Sequence, residues 1–202
     1  IIVDHVPMTN AFAFGPDGKL YFPVMATNEI WRVNLDGSDC EVVIGDLGVP
    51  DSVKFDAQGR IISTQVGSGQ VLRIDPQTGA RTLLAEIGPG LDNSTFVGDR
   101  LFVSHMTGSI HEILAPGELR ELNPKGLLWP MGVAVSDAGD VYVADGSSAY
   151  VRPVGGRMAL AGMIFTPGYP TFHRGAASAG PGEWHVTTST GEVRKRNPAA
   201  QS

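Results

Sequence analysis

The stretch from residue 132 to residue 145 reads Gly-Val-Ala-Val-Ser-Asp-Ala-Gly-Asp-Val-Tyr-Val-Ala-Asp. Two short runs rich in β-branched residues, 133–135 and 141–143, flank the turn Ser136-Asp137-Ala138-Gly139. Turn residues of this kind tolerate the backbone conformations that join two antiparallel strands. The stretch therefore predicts a β-hairpin.

Similar hairpins recur along the chain with a period of about 40 residues. The first strands open at Asn10, Asp51, Asp92 and Met131, at intervals of 41, 41 and 39. The second strands open at Leu20, Ile61, Leu101, Val141 and Trp184, at intervals of 41, 40, 40 and 43. A third set consists of Ile30, Val71, Ile110, Val151 and Val193, at intervals of 41, 39, 41 and 42. Three independent sets with one period indicate an internal repeat.

Each of the first four units also contains a fourth β-rich run, at residues 41–44, 81–85, 119–122 and 157–160. Four strands in about 40 residues are typical of a β-propeller blade. Helical repeats of similar length are the competing interpretation, but no window shows helical i, i+3, i+4, i+7 apolar spacing. We therefore predict an all-β propeller of four-stranded antiparallel blades, with five blades detected over residues 1–202, starting near 10, 51, 92, 131 and 170.

The fifth unit, placed at Pro170 to Arg174, supplies three strands, whereas residues 1–5 precede the first unit and resemble the run 41–44. Two interpretations stay open for residues 1–5. They form the outer strand that closes the last blade and removes a free sheet edge, or they belong to a preceding blade of a six-bladed ring.

Composition excludes several classes of protein. Apolar residues make up 42% of the chain and no apolar run approaches the roughly 18 residues of a membrane helix. One cysteine, Cys40, excludes an intramolecular disulfide and a cysteine-based metal cluster. A net charge of -6 argues against a nucleic-acid partner. The chain begins Ile-Ile-Val without Met, which suggests processing or trimming, so both a cytoplasmic and a secreted location stay open, as does the oligomeric state.

Three stretches resemble the SMP-30/gluconolactonase/LRE-like family, with the NHL-repeat proteins close behind. They are Phe14-Gly-Pro-Asp-Gly-Lys-Leu-Tyr-Phe22, Pro50-Asp-Ser-Val-Lys-Phe-Asp-Ala-Gln-Gly59 and the stretch 132–145 quoted above. The similarity extends over nearly the whole chain. It implies a propeller that acts on, or binds, a small molecule.

The resemblance also implies one divalent cation in the central channel, held by oxygen ligands four residues before the end of each innermost strand. That column reads Asn10, Asp51, Asp92, Met131 and Pro170. Two carboxylates and an amide carbonyl suit Ca²⁺ or Mg²⁺, with Zn²⁺ as an alternative. Met131 and Pro170 have no side-chain oxygen to contribute.

Propeller geometry adds a second column, because the end of each second strand reaches the same face as the start of the first. It reads Val24, Gln65, His105, Asp145 and Thr188. We expect Asp145 or His105 to act as the general base of a metal-assisted hydrolysis of a small lactone or ester. The residues expected to contact the substrate are Gln65, Asn93, Trp129 and Tyr169. The alternative is a non-catalytic NHL-type propeller that binds a small ligand or a protein.

Overall fold

The computed structural model describes residues 2–123, 127, 130–136, 138–145, 148–163, 173–180, 183–188 and 193–196. Within these residues, consecutive strands pair into five sheets, each in simple chain order. Among these residues, helical segments with the length and apolar character of a membrane span are absent.

The first two sheets cover residues 13–86. The first contains β1 (Ala13–Phe14), β2 (Leu20–Val24), β3 (Glu29–Val33) and β4 (Glu41–Ile44), with a 3-10 turn at Met25–Thr27. The second contains β5 (Pro50–Phe55), β6 (Ile61–Gln65), β7 (Gln70–Ile74) and β8 (Arg81–Glu86).

The remaining three sheets follow the same plan. The third contains β9 (Leu91–Val97), β10 (Arg100–His105), β11 (Ile110–Ala115) and β12 (Glu118–Asn123). The fourth contains β13 (Pro130–Val135), β14 (Val141–Asp145), β15 (Ser148–Arg152) and β16 (Ala159–Met163). The fifth contains β17 (His173–Gly180), β18 (Glu183–Thr188) and β19 (Val193–Arg196). Four consecutive antiparallel strands per repeat are thus confirmed for the first four units.

The chain divides into two compact units. One comprises Ile1–Ser94 with Ile113–Leu119, and the other comprises Thr95–Glu112 with Arg120–Ser202. The assignment of residues 1–202 to one domain therefore stays a prediction. In the first unit, Tyr21, Ile30, Val53 and Ile61 belong to one buried cluster, because apolar faces of the first and second sheets pack together.

The second unit has its own apolar core. Leu127, between β12 and β13, and buried side chains of the third and fourth sheets form it: Phe102, Ile110, Val133, Val135, Val141 and Val143. Alternation along each strand places the strand residues on one sheet face, which explains why the β-rich runs of the sequence predict the core.

The loops that lead into the third strands contain a recurrent left-handed residue. Gly69 has φ +72° and Gly108 has φ +102°, and a Cβ on either would collide with the backbone of Gly88 or Leu127. Asn28 occupies the corresponding place in the first sheet with φ +60°. Glycine is required at the two later positions both by its φ angle and by the close approach of a neighbouring chain segment.

Residues 2–5 form no strand in this structure. Val3 and Val6 pack instead against a cluster of Phe22, Val24 and Val33 in the first sheet. The assignment of residues 1–5 to the outer strand of another blade stays a prediction.

Candidate functional site

Asn10, Asp51 and Asp92 meet in the first unit. Asn10 Nδ2 donates a 2.7 Å hydrogen bond to Asp51 Oδ1, and the carboxyl groups of Asp51 and Asp92 share a hydrogen bond. The backbone supports this arrangement, since Ala11 forms a parallel bridge with Ser52 through hydrogen bonds of 3.2 and 3.1 Å. Three side chains 41 residues apart in the sequence are therefore neighbours.

A β-bulge determines the orientation of Asp51. In the pairing of β5 with β6, Pro50 lies opposite Gln65 and Ser52 lies opposite Thr64, which leaves Asp51 as the extra residue. A bulge of this kind redirects a side chain at the end of a strand and is common beside functional sites. The backbone thus turns the Asp51 carboxyl group out of the regular alternation of the sheet.

The Asp51 carboxyl group is costly to bury. Its residue is 3% exposed, and its Oδ2 atom has no hydrogen-bond partner among the described residues. Burial raises the pKa of Asp51 above its ordinary value, although the hydrogen bonds from Asn10 and Asp92 act to lower the pKa.

These residues fit a divalent cation. A cation would offset the cost of burying two neighbouring carboxyl groups and would give Asp51 Oδ2 the partner that it lacks. Asn10 uses its amide nitrogen toward Asp51 and retains a carbonyl oxygen as a further hard ligand. The described residues include no group of three or more His, Cys, Asp or Glu side chains suited to a metal, so the donor set is two carboxylates and one amide.

A chain of hydroxyl groups holds the backbone of Asp92. Thr64 Oγ1 donates to the carbonyl oxygen of Asp92, and Ser52 Oγ lies 2.7 Å from Thr64 Oγ1 and 3.1 Å from Ser94 Oγ. Because each hydroxyl has one proton, the chain runs from Ser94 to Ser52 to Thr64 to Asp92. All three hydroxyl residues are buried. Sequence reasoning missed them, although Ser52 and Ser94 follow two members of the first column closely.

Gln65, expected to contact the substrate, is fully buried. Its Oε1 accepts a 2.9 Å hydrogen bond from the backbone N–H of Gly48, and its Nε2 donates to Ser63 Oγ at 2.9 Å. Both ends of the amide are therefore engaged within the second sheet and its preceding loop. In this structure the Gln65 side chain links β6 to the loop before β5 and presents no surface to a ligand.

His105 and Asp145 are both buried at strand ends in the second unit. Asp145 ends β14, opposite Pro130. His105 Nδ1 accepts a 3.2 Å hydrogen bond from the backbone N–H of Thr107. The same Nδ1 lies 2.7 Å from Thr107 Oγ1, so Thr107 holds this edge of the ring through both its backbone and its side chain.

The other expected substrate contacts are only partly described. Asn93 is half-buried, and its Oδ1 accepts a 2.9 Å hydrogen bond from the backbone N–H of Ser94. Trp129 and Tyr169 lie outside the described residues.

Strand register corrects the fifth position of the first column. The bulge that holds Asp51 in the second sheet recurs at Met131, between Pro130 opposite Asp145 and Gly132 opposite Ala144. In the fifth sheet His173 lies opposite Thr188 and Gly175 lies opposite Thr187, which puts Arg174 at this position.

The fifth position is therefore Arg174 and not Pro170. The weak first strand and the longer loop of this unit hid the register, and Pro170 lies outside the described residues. A usable signal was present, because Asp51, Met131 and Arg174 each precede the second-column residue by 14 positions.

Comparison with solved structures shows the fold. A chain of a nidogen/laminin complex is 18% identical with a TM-score of 0.78, covering 98% of this chain and 78% of that chain. A candidate gluconolactonase is 21% identical with a TM-score of 0.71, covering 96% and 79%. A streptogramin B lyase is 15% identical with a TM-score of 0.70, covering 96% and 70%. These similarities, together with the four-stranded sheets, establish a β-propeller fold.

The sequence comparisons bear on the family. A search of curated proteins found no match. Residues 1–107, which include Asn10, Asp51 and Asp92, match the SMP-30/gluconolactonase/LRE-like region. The resemblance seen in the sequence is thereby confirmed, and the chain belongs to the SMP-30/gluconolactonase/LRE-like family.

Proposed function

We propose that this propeller is a metal-dependent hydrolase of a small lactone or ester. The observation that supports the proposal most strongly is Asp51 Oδ2, a buried carboxylate oxygen without a hydrogen-bond partner in the described part of the chain. Membership of the SMP-30/gluconolactonase/LRE-like family also supports a hydrolase, and a candidate gluconolactonase shares the fold.

In the proposed site, Asp51, Asp92 and Asn10 hold a divalent cation, Ca²⁺ or Mg²⁺ in first place and Zn²⁺ as the alternative. When bound, such a cation polarises a carbonyl group and lowers the pKa of water. The hydroxyl chain from Ser94 to Thr64 fixes the backbone of Asp92, so the carboxyl group keeps its orientation.

Asp145 is the proposed general base. Its carboxylate would take the proton of the attacking water, and cleavage of the ester or lactone C–O bond would return a proton to the leaving oxygen. His105 remains the second candidate for this role. Asn93, Trp129 and Tyr169 remain proposed substrate contacts.

A second candidate function is a non-catalytic propeller that binds a ligand or a protein. Met131 and Arg174, at the bulge position of the fourth and fifth sheets, favour it because neither has a side-chain oxygen. The nidogen/laminin complex is an example of this fold in a protein–protein assembly.

Calorimetric titration of the metal-stripped protein with Ca²⁺, Mg²⁺ and Zn²⁺ tests the cation site. Hydrolase function requires binding that weakens by about 100-fold or more in Asp51→Asn and in Asp92→Asn, because each variant removes a charged ligand. Asp46→Asn is the matched control, since Asp46 is an exposed carboxylate of the same unit whose φ of +52° suits asparagine.

A panel of lactones and esters then tests catalysis. We expect turnover by the cation-loaded protein and its loss in Asp145→Asn with cation affinity unchanged. Cation binding without turnover of any panel member would favour the binding function, and no cation binding at all would defeat the hydrolase proposal.

A further inference from the structure

A polar cleft, separate from the proposed cation site, lies between the third and fourth sheets, entirely within the second unit. Its volume is about 290 Å³, and three arginines and one glutamate line it: Arg100, Arg120, Arg152 and Glu121. It opens where β9 turns into β10 and where β13 turns into β14, at the strand ends opposite to those occupied by Asp92 and Met131. The cleft is therefore separate from the first-column positions of its own two sheets.

Glu112 fixes two of the arginines. Its side chain is 2% exposed; its Oε1 accepts a 2.6 Å hydrogen bond from Arg100 Nε, and its Oε2 accepts hydrogen bonds from Nε and Nη2 of Arg120. Arg100 also lies over the ring of Phe102, 4.9 Å from the centroid. Buried, charge-assisted hydrogen bonds of this kind preorganise both guanidinium groups.

Several guanidinium N–H groups remain available. Within the described residues, Arg100 donates to Glu112 only through Nε, and Arg152 has no hydrogen bond or ion pair. A guanidinium has five N–H donors, so all three arginines retain donors toward the cleft. The Arg100 and Arg120 side chains are 46% and 54% exposed, which makes these donors accessible to a ligand.

The guanidinium donors of the cleft favour an anion. Three arginines and one glutamate line it; Glu112 pairs with two of the arginines, and Asp140 accepts a 3.0 Å hydrogen bond from the backbone N–H of the lining residue Val154. Gly139 lines the same cleft with φ +92°, and a Cβ there would lie 3.4 Å from a terminal nitrogen of Arg100. Glycine at this turn therefore leaves room at the guanidinium edge.

The fold does not itself impose this lining. The corresponding cleft between the first and second sheets, of about 270 Å³, is lined by Asp17, Asp75 and Arg60, with Arg60 Nε bonded at 2.8 Å to Asp56. Two carboxylates and one guanidinium line that cleft, whereas one carboxylate and three guanidinium groups line the cleft between the third and fourth sheets. The arginine-rich lining is therefore a property of this sequence.

We propose that the cleft of Arg100, Arg120 and Arg152 binds the carboxylate group of a small anionic ligand. The two oxygens of a carboxylate match the paired N–H groups of a guanidinium. The apolar side chains that complete the lining, Leu122, Val141 and Val154, would contact the hydrocarbon part of such a ligand.

Acetate is the probe for this site. The full chain is titrated with acetate at low salt, and ¹H–¹⁵N spectra of the arginine side chains monitor the binding. We expect the Nε resonances of Arg100 and Arg152 to shift and to saturate with acetate, while chloride at equal ionic strength shifts neither. Arg152→Gln should weaken acetate binding by about 10-fold, because it removes charged hydrogen bonds to the ligand.

Arg157→Gln is the matched control, since Arg157 is exposed in the same unit and does not line the cleft. Acetate affinity should be unchanged in this control. Arg152→Lys keeps the charge without the paired donors, so its affinity for acetate should lie between those of the wild type and Arg152→Gln. If the glutamine variant is unstable, a weaker affinity of Arg152→Lys than of the wild type still tests the site. Shifts that rise linearly without saturation, equal responses to chloride, or tighter binding of inorganic phosphate than of acetate would each overturn the carboxylate assignment.

Discussion

Asn10 Nδ2 lies 2.7 Å from Asp51 Oδ1 although 41 residues separate them in the chain. The repeat period equals this separation, so corresponding positions of the first and second sheets are neighbours. Asp92, another 41 residues along, hydrogen-bonds to the same Asp51 carboxyl group. One period therefore produces one polar cluster.

Asp51→Asn should stabilise the metal-free protein, because it removes a buried carboxyl group that lacks a partner for one oxygen. We expect a gain of about 1–3 kcal/mol in the free energy of unfolding, measured by urea denaturation in a chelator. With saturating Ca²⁺ the order should reverse, since only the wild type gains the free energy of cation binding. A metal-free variant that is less stable than the wild type would show that the carboxylate is satisfied without a cation.

Thr64→Val should destabilise the fold and also weaken cation binding. The variant leaves the carbonyl oxygen of Asp92 and the hydroxyl of Ser52 without their shared partner, at a cost of about 1–3 kcal/mol. Thr64→Ser should restore most of both properties because it keeps the hydroxyl. Thr82→Val, at an exposed position of β8, is the control and should leave unfolding within about 0.5 kcal/mol of the wild type. Unchanged cation affinity in a folded Thr64→Val would limit this hydroxyl to a structural role.

Glu112 should make stability depend on pH. Burial acts to raise the pKa of Glu112, but the hydrogen bonds from Arg100 and Arg120 outweigh it and hold the pKa below the ordinary value of 4.5. A depressed pKa stabilises the fold above the pKa of the unfolded chain, and this contribution is lost as the pH falls through the folded-state value.

The test compares the unfolding of the wild type and Glu112→Gln from about pH 7 down to about pH 3. This range includes the ordinary pKa of a glutamate carboxyl group. We expect the wild type to be more stable by about 2 kcal/mol at neutral pH and the difference to shrink in acid. A difference that stays constant with pH would indicate lost packing without a contribution from charge.

Gly69→Ala should be far more damaging than Gly18→Ala. Both glycines have a positive φ, +72° and +77°, so each substitution carries a backbone cost of about 1–2 kcal/mol. Only at Gly69 would the new Cβ also collide with the backbone, at the carbonyl carbon of Gly88, whereas nothing lies within 4 Å at Gly18. Equal losses in thermal unfolding for the two variants would contradict the close approach of these segments.

The repeat arithmetic predicted the fold because spacing and strand patterning are properties of neighbouring residues. It also predicted that Asn10, Asp51 and Asp92 would meet, since their separation equals the period. The position of Arg174 in the first column was missed because the fifth unit has a weak first strand and a longer loop. The spacing of 14 residues to the second column, which Arg174 shares with Asp51 and Met131, was the signal that could have found it.

Other features depended on three-dimensional contacts that no period encodes. The buried state of Gln65 depends on Gly48, 17 residues earlier in a loop, and the Arg100–Glu112 pair depends on the spacing of strands within the third sheet. The hydroxyl chain through Ser52 was readable only in part, because serine and threonine in a strand give no sign of which atom they will bond.

Anomalous X-ray diffraction from crystals grown with Ca²⁺ tests the cation site most directly. We expect a peak among the oxygens of Asn10, Asp51 and Asp92, with Ca–O distances of about 2.3–2.6 Å, and its disappearance in Asp51→Asn. Well-ordered side chains at these three positions with no peak among them, at a Ca²⁺ concentration that saturates the protein in calorimetry, would contradict the site.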